Sequence, residues 1–240
     1  DYVKNTDNIK NLARSIDKIT NDFYRIERDD IKTKNDGAFL HFPTASIFSS
    51  SAYQSGSKFY EKFGMEASTN AYSMTGSTPF ADALISVKYK LTEEKETHPK
   101  SLNMREINHI DNCYLYQNLS TLPFSYVLTN DFIDKFDMTS GNPATIQNNF
   151  SRTMNYGAML EKVSIDTDDK SASFVVEENG NYYAFVRDKG IKEVTVNYPT
   201  TSKKFINLNR GFFIELGFRE KGTEISFDNA FNESPLLIEV

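Results

Sequence analysis

The 240-residue chain has no tryptophan, a single cysteine, three histidines and no apolar run long enough to span a bilayer. Each absence removes a class of function. One cysteine, Cys113, excludes an internal disulfide framework and a thiolate zinc cluster. A cysteine nucleophile would need a histidine base, and His41, His98 and His109 are the candidates. His109 lies four residues before Cys113, yet "NCYLYQNL" is strand-like and Cys113 reads as a small buried apolar side chain. The histidines lack metal-ligand spacing, so they read as surface or packed side chains. No metal and no cofactor is expected. P-loop, GxGxxG, HExxH and GxSxG patterns are missing. The longest apolar runs, "GFFIELGF" and "SPLLIEV", fall far short of the ~20 residues of a spanning helix. Basic residues are outnumbered, 27 against 33 acidic, and Lys203–Lys204 is the one adjacent basic pair. A net charge of −6 without a basic stripe argues against a nucleic-acid partner. Scarce cysteine fits the cytoplasm or the exterior of a bacterium that does without disulfides. The chain starts mid-pattern without Met, which reads as a segment of a longer protein.

What is present is a folding pattern that changes along the chain. Thirteen tyrosines and 19 phenylalanines supply large apolar side chains, and this length buries roughly 70% of the unfolded surface. Ile9, Leu12, Ala13, Ile16 and Ile19 recur at helical spacing, with Asp7 as the expected N-cap. "FYRIER" reads as a strand, as do "GAFLHFP" and "ASIFSSS". "SAYQSGSKFYEKFGM" reads as a helix ending at Gly64. Thr78 and Pro79 start a two-turn helix, "FADALIS", which gives way to a strand, "VKYKL". "TEEKETHPKSLNMREIN" reads as a charged loop, "CYLYQNLSTLPFSYVLTN" as two strands broken at Leu122–Pro123, and "GNPATIQNNFSRTMN" as a helix. From there short strands recur every ~8–12 residues between Gly, Asn and Asp turns, the mark of a β-sandwich. The expected fold class is α+β: a layered α/β domain over 1–156 followed by an antiparallel, jelly-roll-like β-sandwich over 157–240.

Candidate chemistry is sparse. Asp82 is a lone carboxylate in an apolar helix, without a visible acid–base partner, and a structural or capping role is the simpler reading. Asp166, Asp168 and Glu177 occupy positions one, three and twelve of a calcium loop. Lys170 stands where an oxygen ligand is needed and Ser171 where the turn wants Gly, so a hairpin turn is favoured. Tyr182 and Tyr183 could stack on sugar rings, although cross-strand pairing is the commoner use of such residues. The serine-rich "IFSSSAYQSGS" could hold a sugar or phosphate but reads as a loop.

The ordered series of segments adds a resemblance. "DFYRIERDDIKTKND", "SIFSSS", "KFYEKFGM", "GSTPFADALISVKYKL", "LYQNLSTLPFSYVL" and "NPATIQNNF" follow one another between Asp22 and Phe150. This order resembles the extracytoplasmic region of the YfhO family of bacterial membrane proteins. That family shows a Phe-Tyr-Arg-Ile-Glu strand, a Tyr-Ser-Ser segment and a Gly-x-Thr-x-x-x-Asp-x-Leu-x-Gly-x-Lys-Tyr motif, then Tyr-x-Asn-x-x-x-Leu-Pro and Asn-Pro-Phe. Here Phe48, Ser86 and Ala144 depart from the pattern. The resemblance implies a domain on the extracellular face of the cell membrane, partnered by its own transmembrane region. The parent would be a GT-C-type glycosyltransferase using a polyprenyl-phosphate-linked sugar to glycosylate an envelope polymer such as lipoteichoic acid. The catalytic carboxylate would lie in a membrane-proximal loop outside this chain, leaving no catalytic residue here. Arg25, Ser49, Ser50 and Asp82 would face the membrane-side site, its sugar or its glycan acceptor. The competing readings are an extracellular carbohydrate-binding or adhesion module and a purely structural domain.

Overall fold

The computed structural model describes residues 4–99, 101–168, 170–229 and 238–239. It is an α+β protein in two compact units, Asp1–Ser57 with Ser68–Asp134, and Lys58–Ala67 with Lys135–Val240.

The first unit is built on a four-stranded mixed sheet. Strands β1 (Arg25–Arg28), β2 (Val87–Thr92), β3 (Met104–Ile110) and β4 (Cys113–Asn118) lie in the order β1-β2-β4-β3. β1 and β2 are parallel, with Arg28 opposite Leu91, whereas β2–β4 and β3–β4 are antiparallel. Parallel neighbours need a long crossover, and the chain between them carries α2 (Asp36–Leu40), α3 (Gln54–Lys62), within which the two units divide, and α4 (Pro79–Leu84). Helix α1 (Thr6–Ser15) seats Ile9, Leu12 and Ala13 against Ile26, Tyr89, Leu91, Cys113 and Leu115, and Ile16 extends the row. Ten residues make a marginal helix in water, so this apolar stripe is what holds it. α4 starts as its sequence demands: the Thr78 hydroxyl accepts from the Ala81 amide at 3.2 Å and Pro79 occupies the first turn. It ends at Ser86, whose backbone is left-handed (φ 60°) where the family pattern has glycine. The Ser86 hydroxyl donates to the Leu122 carbonyl at 3.2 Å, offsetting part of that conformational cost.

The second unit is β-rich. β7 (Glu193–Tyr198) pairs antiparallel with β8 (Thr201–Ile206) and β10 (Glu224–Asn229), and β10 with β5 (Ser171–Val175). In a second antiparallel sheet β6 (Gly180–Val186) lies between β9 (Ile214–Arg219) and the strand Ile238–Glu239. Both sheets feed one core, with Phe174, Val194, Val196, Ile225 and Phe227 from the first and Ala184, Val186, Ile214 and Leu216 from the second. The short α5 (Phe132–Lys135) spans a point where the chain passes from the first unit to the second, and helix α6 (Pro143–Thr153) of the second unit is capped by the Asn142 carboxamide, which accepts from Ala144 and Thr145. Phe63 and Phe136 stack edge-on against Phe150, and Gln147 donates to the Phe63 carbonyl at 2.7 Å. Gly64 (φ +80°) is required twice over: a Cβ there would stand 2.4 Å from the Phe213 ring.

Several local expectations change. Asp7 lies inside the first turn of α1, where it complements the helix dipole, and Asn5 holds the cap position; Ile19 is exposed. "GAFLHFP" is the helix α2 rather than a strand. Asp36 there accepts from the Lys32 and Thr33 amides at 2.9 Å, and His41 ends the helix in a left-handed conformation. "ASIFSSS" is strand only at Ile47–Phe48, which pairs with Ala71–Tyr72. A strand, Met104–Ile110, begins within the segment read as a loop, because its hairpin with β4 supplies the pairing that its polar composition hid. The second strand expected directly after Pro123 does not form: residues 124–130 are irregular. Most of "SPLLIEV" lies outside the described residues; its Ile238–Glu239 is strand.

Candidate functional site

The family-type motifs converge in the first unit on a buried ionic centre. Asp82, on α4, is 2% exposed, and its Oδ2 lies 3.1 Å from the Lys90 ammonium on β2. Lys90 also faces Asp29 at 3.6 Å. The second Asp82 oxygen is buried without a hydrogen-bond partner. Glu27, on β1, is buried nearby. Its Oε1 accepts from the Thr44 hydroxyl and the Ala45 amide, both at 2.5 Å, and its Oε2 from the Ser46 hydroxyl at 2.8 Å. Ser46 in turn accepts from the Met74 amide at 3.1 Å. Burial pushes the Glu27 carboxyl above its ordinary range, the three hydrogen bonds pull it back, and the neighbouring Asp82 charge raises it further. The void bordered by Glu27, Arg28, Asp36 and Ser46 is about 10 Å³, at the lower limit for one water. No sugar or phosphate fits there.

Beside this centre Arg28 is buried against three carboxylates. It makes a two-pronged pair with Asp30 (2.9 and 2.7 Å), contacts Glu93, and lies 3.7 Å from Asp36. This cluster ties the loop after β1 to the end of β2, and sequence reasoning missed it. Glu27 and Arg28 were visible inside "FYRIER", but their burial becomes apparent only once both faces of β1 are covered.

Arg25 does a different job. Its guanidinium donates to the Ile85 carbonyl at the C-terminal end of α4 and lies 5.1 and 5.4 Å from the ring centres of Phe23 and Phe124. Arg25 and Asp82 thus secure the same helix. Phe23 and Phe124 are themselves in ring contact (4.3 Å) and exposed, and Leu119, Val127 and Ile133 of the same unit are exposed too, Val127 at 99%. Ser49 and Ser50 lie elsewhere. The Ser49 hydroxyl is 3.0 Å from that of Ser51, its amide donates to the Asn70 carbonyl, and Ser50 is exposed. Among the described residues neither serine bonds to Asp82 or Arg25.

Cys113 is fully buried in the core under α1, and burial pushes its thiol up. Asp168 folds a turn instead of a calcium loop: it accepts from the Lys170 and Ser171 amides and the Ser171 hydroxyl. Among the described residues no cluster of His, Cys, Asp or Glu could hold a metal ion.

The second unit contains a larger cleft of about 530 Å³. Its lining comes from the first turns of α6 (Asn142, Ala144, Thr145, Asn148), the strap of residues 159–164, and the connection from β5 into the start of β6, residues 177–183. Asn148 holds the strap in place, accepting from the Met159 and Leu160 amides (2.8 and 2.9 Å) and donating to the Leu160 carbonyl (2.7 Å). Phe185 and Phe213, whose rings pack edge-on, form part of its lining, with Tyr182 and Tyr183 beside them. The β6–β9 register slips between those tyrosines, Gly217 facing the first and Glu215 the second. The extra residue, Leu216, is on β9, so the two tyrosines keep their alternation: Tyr182 packs on the core beside Phe174, and Tyr183 lies beside Phe213. Tyr182 donates to the Glu178 carbonyl at 2.8 Å, and the Tyr183 ring lies 6.1 Å from that of Phe213.

No described helix is long and apolar enough to cross a membrane. A family model described as "Bacterial membrane protein YfhO" matches residues 1–162. Neither a curated protein nor a solved structure matches the chain.

Proposed function

The chain belongs to the YfhO family of bacterial membrane proteins, and on that premise we propose that it is the extracellular domain of a membrane glycosyltransferase. In this reading the parent protein takes a sugar from a polyprenyl-phosphate carrier and places it on an envelope polymer such as lipoteichoic acid. The observation that supports this placement is the exposed aromatic pair Phe23 and Phe124 around Arg25, in a unit that also exposes Leu119 and Val127. Aromatic and aliphatic side chains gathered round a cation suit the boundary between water and a membrane region. The motif carboxylates Glu27 and Asp82 are occupied or closed in by their own surroundings. This supports a scaffolding role for them, with transfer chemistry in the membrane part of the parent.

The test is reconstitution of the full-length protein in liposomes with polyprenyl-phosphate-linked sugars and lipoteichoic acid. Sugar should appear on the acceptor, and Phe124→Ser with Val127→Asp should reduce transfer while leaving the melting temperature of this chain within about 1 °C, since both side chains are exposed. Absence of transfer from every lipid-linked donor refutes the reaction. Undiminished transfer by the double variant refutes the membrane-facing role of the patch.

A further inference from the structure

The cleft of the second unit belongs to no part of that reading. Its volume, about 530 Å³, falls within the roughly 300–1,000 Å³ of sites that take small ligands. Its chemistry is specific. Phe185, Phe213 and Tyr183 contribute aromatic surface, and the exposed residues Glu161, Glu177 and Glu178 also line the cleft. One lysine, Lys162, stands against those three acids among the lining residues. A phosphate or carboxylate entering the cleft would meet net negative charge, and the N-terminus of α6 does not reverse that balance. A hydroxyl-bearing ring is suited to both surfaces. Its C–H face packs on aromatic carbon, and its hydroxyls donate to carboxylate oxygens, which only accept. The strap is fixed to α6 by three hydrogen bonds, two accepted and one donated by Asn148, so this part of the cleft is preformed.

We propose that this cleft is a carbohydrate-binding site for one or two rings of a neutral or amine-bearing glycan. It selects against phosphate-bearing sugars, and so is distinct from any site for a polyprenyl-phosphate donor. Ala144 affects the room available, because its small side chain lines the cleft from the first turn of α6. Tyr183 contributes ring surface beside Phe213.

The experiment uses this 240-residue chain, titrated with neutral mono- and disaccharides, glucosamine and glycerol phosphate, and followed by NMR shifts of the residues around the cleft. Neutral sugars or glucosamine should give saturable shifts, and glycerol phosphate weaker ones. Tyr183→Ala removes ring stacking and should weaken binding up to about tenfold. Ala144→Leu, which fills part of the cleft without deleting a contact, should weaken it comparably, and it keeps the test valid if the tyrosine variant unfolds. The proposal is overturned if no sugar shifts these residues, if folded Ala144→Leu binds as well as the parent, or if glycerol phosphate binds best. Neither donor lipid nor a membrane part is involved, so a failed transfer assay leaves this outcome independent.

Discussion

Asp82 is the residue on which a catalytic and a structural reading diverge most sharply, and replacing it separates them. Asp82→Ala removes a carboxylate that is 2% exposed and breaks its 3.1 Å pair with Lys90. A fully buried pair that loses one partner costs roughly 3–5 kcal/mol. Lys90 is partly exposed and keeps Asp29 at 3.6 Å, which brings the loss down. The alanine also eliminates a buried oxygen that has no hydrogen-bond partner, a gain of about 1 kcal/mol. The net expectation is a destabilisation of about 1–2 kcal/mol, or roughly 2–8 °C in melting temperature for a protein of this size. Thermal unfolding of Asp82→Ala, Lys90→Met and the double variant closes a cycle whose coupling should be about 1–2 kcal/mol. In full-length protein, transfer per folded molecule should change less than tenfold. A melting temperature unchanged within about 1 °C, combined with loss of transfer by orders of magnitude, would refute the structural role and return Asp82 to the chemistry.

Arg28→Met should be the more damaging change, because it leaves Asp30, Asp36 and Glu93 gathered without their cation. A loss of about 3 kcal/mol, or roughly 6–12 °C, should be seen by calorimetry. Arg28→Lys should recover less than half of it, since an ammonium cannot reproduce the two-pronged pair with Asp30; full recovery contradicts the geometry. Glu27 predicts a pH dependence. Its carboxyl is pushed up in the folded state, so the stability it contributes is fully present below its ordinary value of 4.5 and is lost as pH rises through the raised value. The melting temperature of Glu27→Gln minus that of the parent should therefore climb as pH increases above 4.5. Asp30, held low by Arg28, titrates on the other side and is common to both proteins. A difference that stays flat or falls with pH contradicts the burial of Glu27.

Local signals in the sequence determined a good deal of this protein. The period of Ile9, Leu12, Ala13 and Ile16 placed α1, Thr78–Pro79 started α4, Asn142–Pro143 started α6, and the regular turns of the C-terminal half announced its strands. These are written within a few residues of where they act, as caps, turns and alternation. The ordered motif series also pointed to the family that the match over residues 1–162 identifies. Where pairing partners are remote, the sequence was silent. Met104–Ile110 looks like a charged loop until β4 lies beside it, and "GAFLHFP" looks like a strand until Asp36 captures two amides behind it. The candidate site divides along the same line. Arg25 and Asp82 could be singled out by type and motif, and both turn out to secure α4. Tertiary structure alone decided that Ser46, not Ser49 or Ser50, meets Glu27, and that Arg28 gathers carboxylates up to 65 residues away. It also decided that Ala144 and Tyr183 border one cleft. Side chains distant in the chain acquire shared chemistry when folding removes water from between them, and no local pattern records which ones will meet.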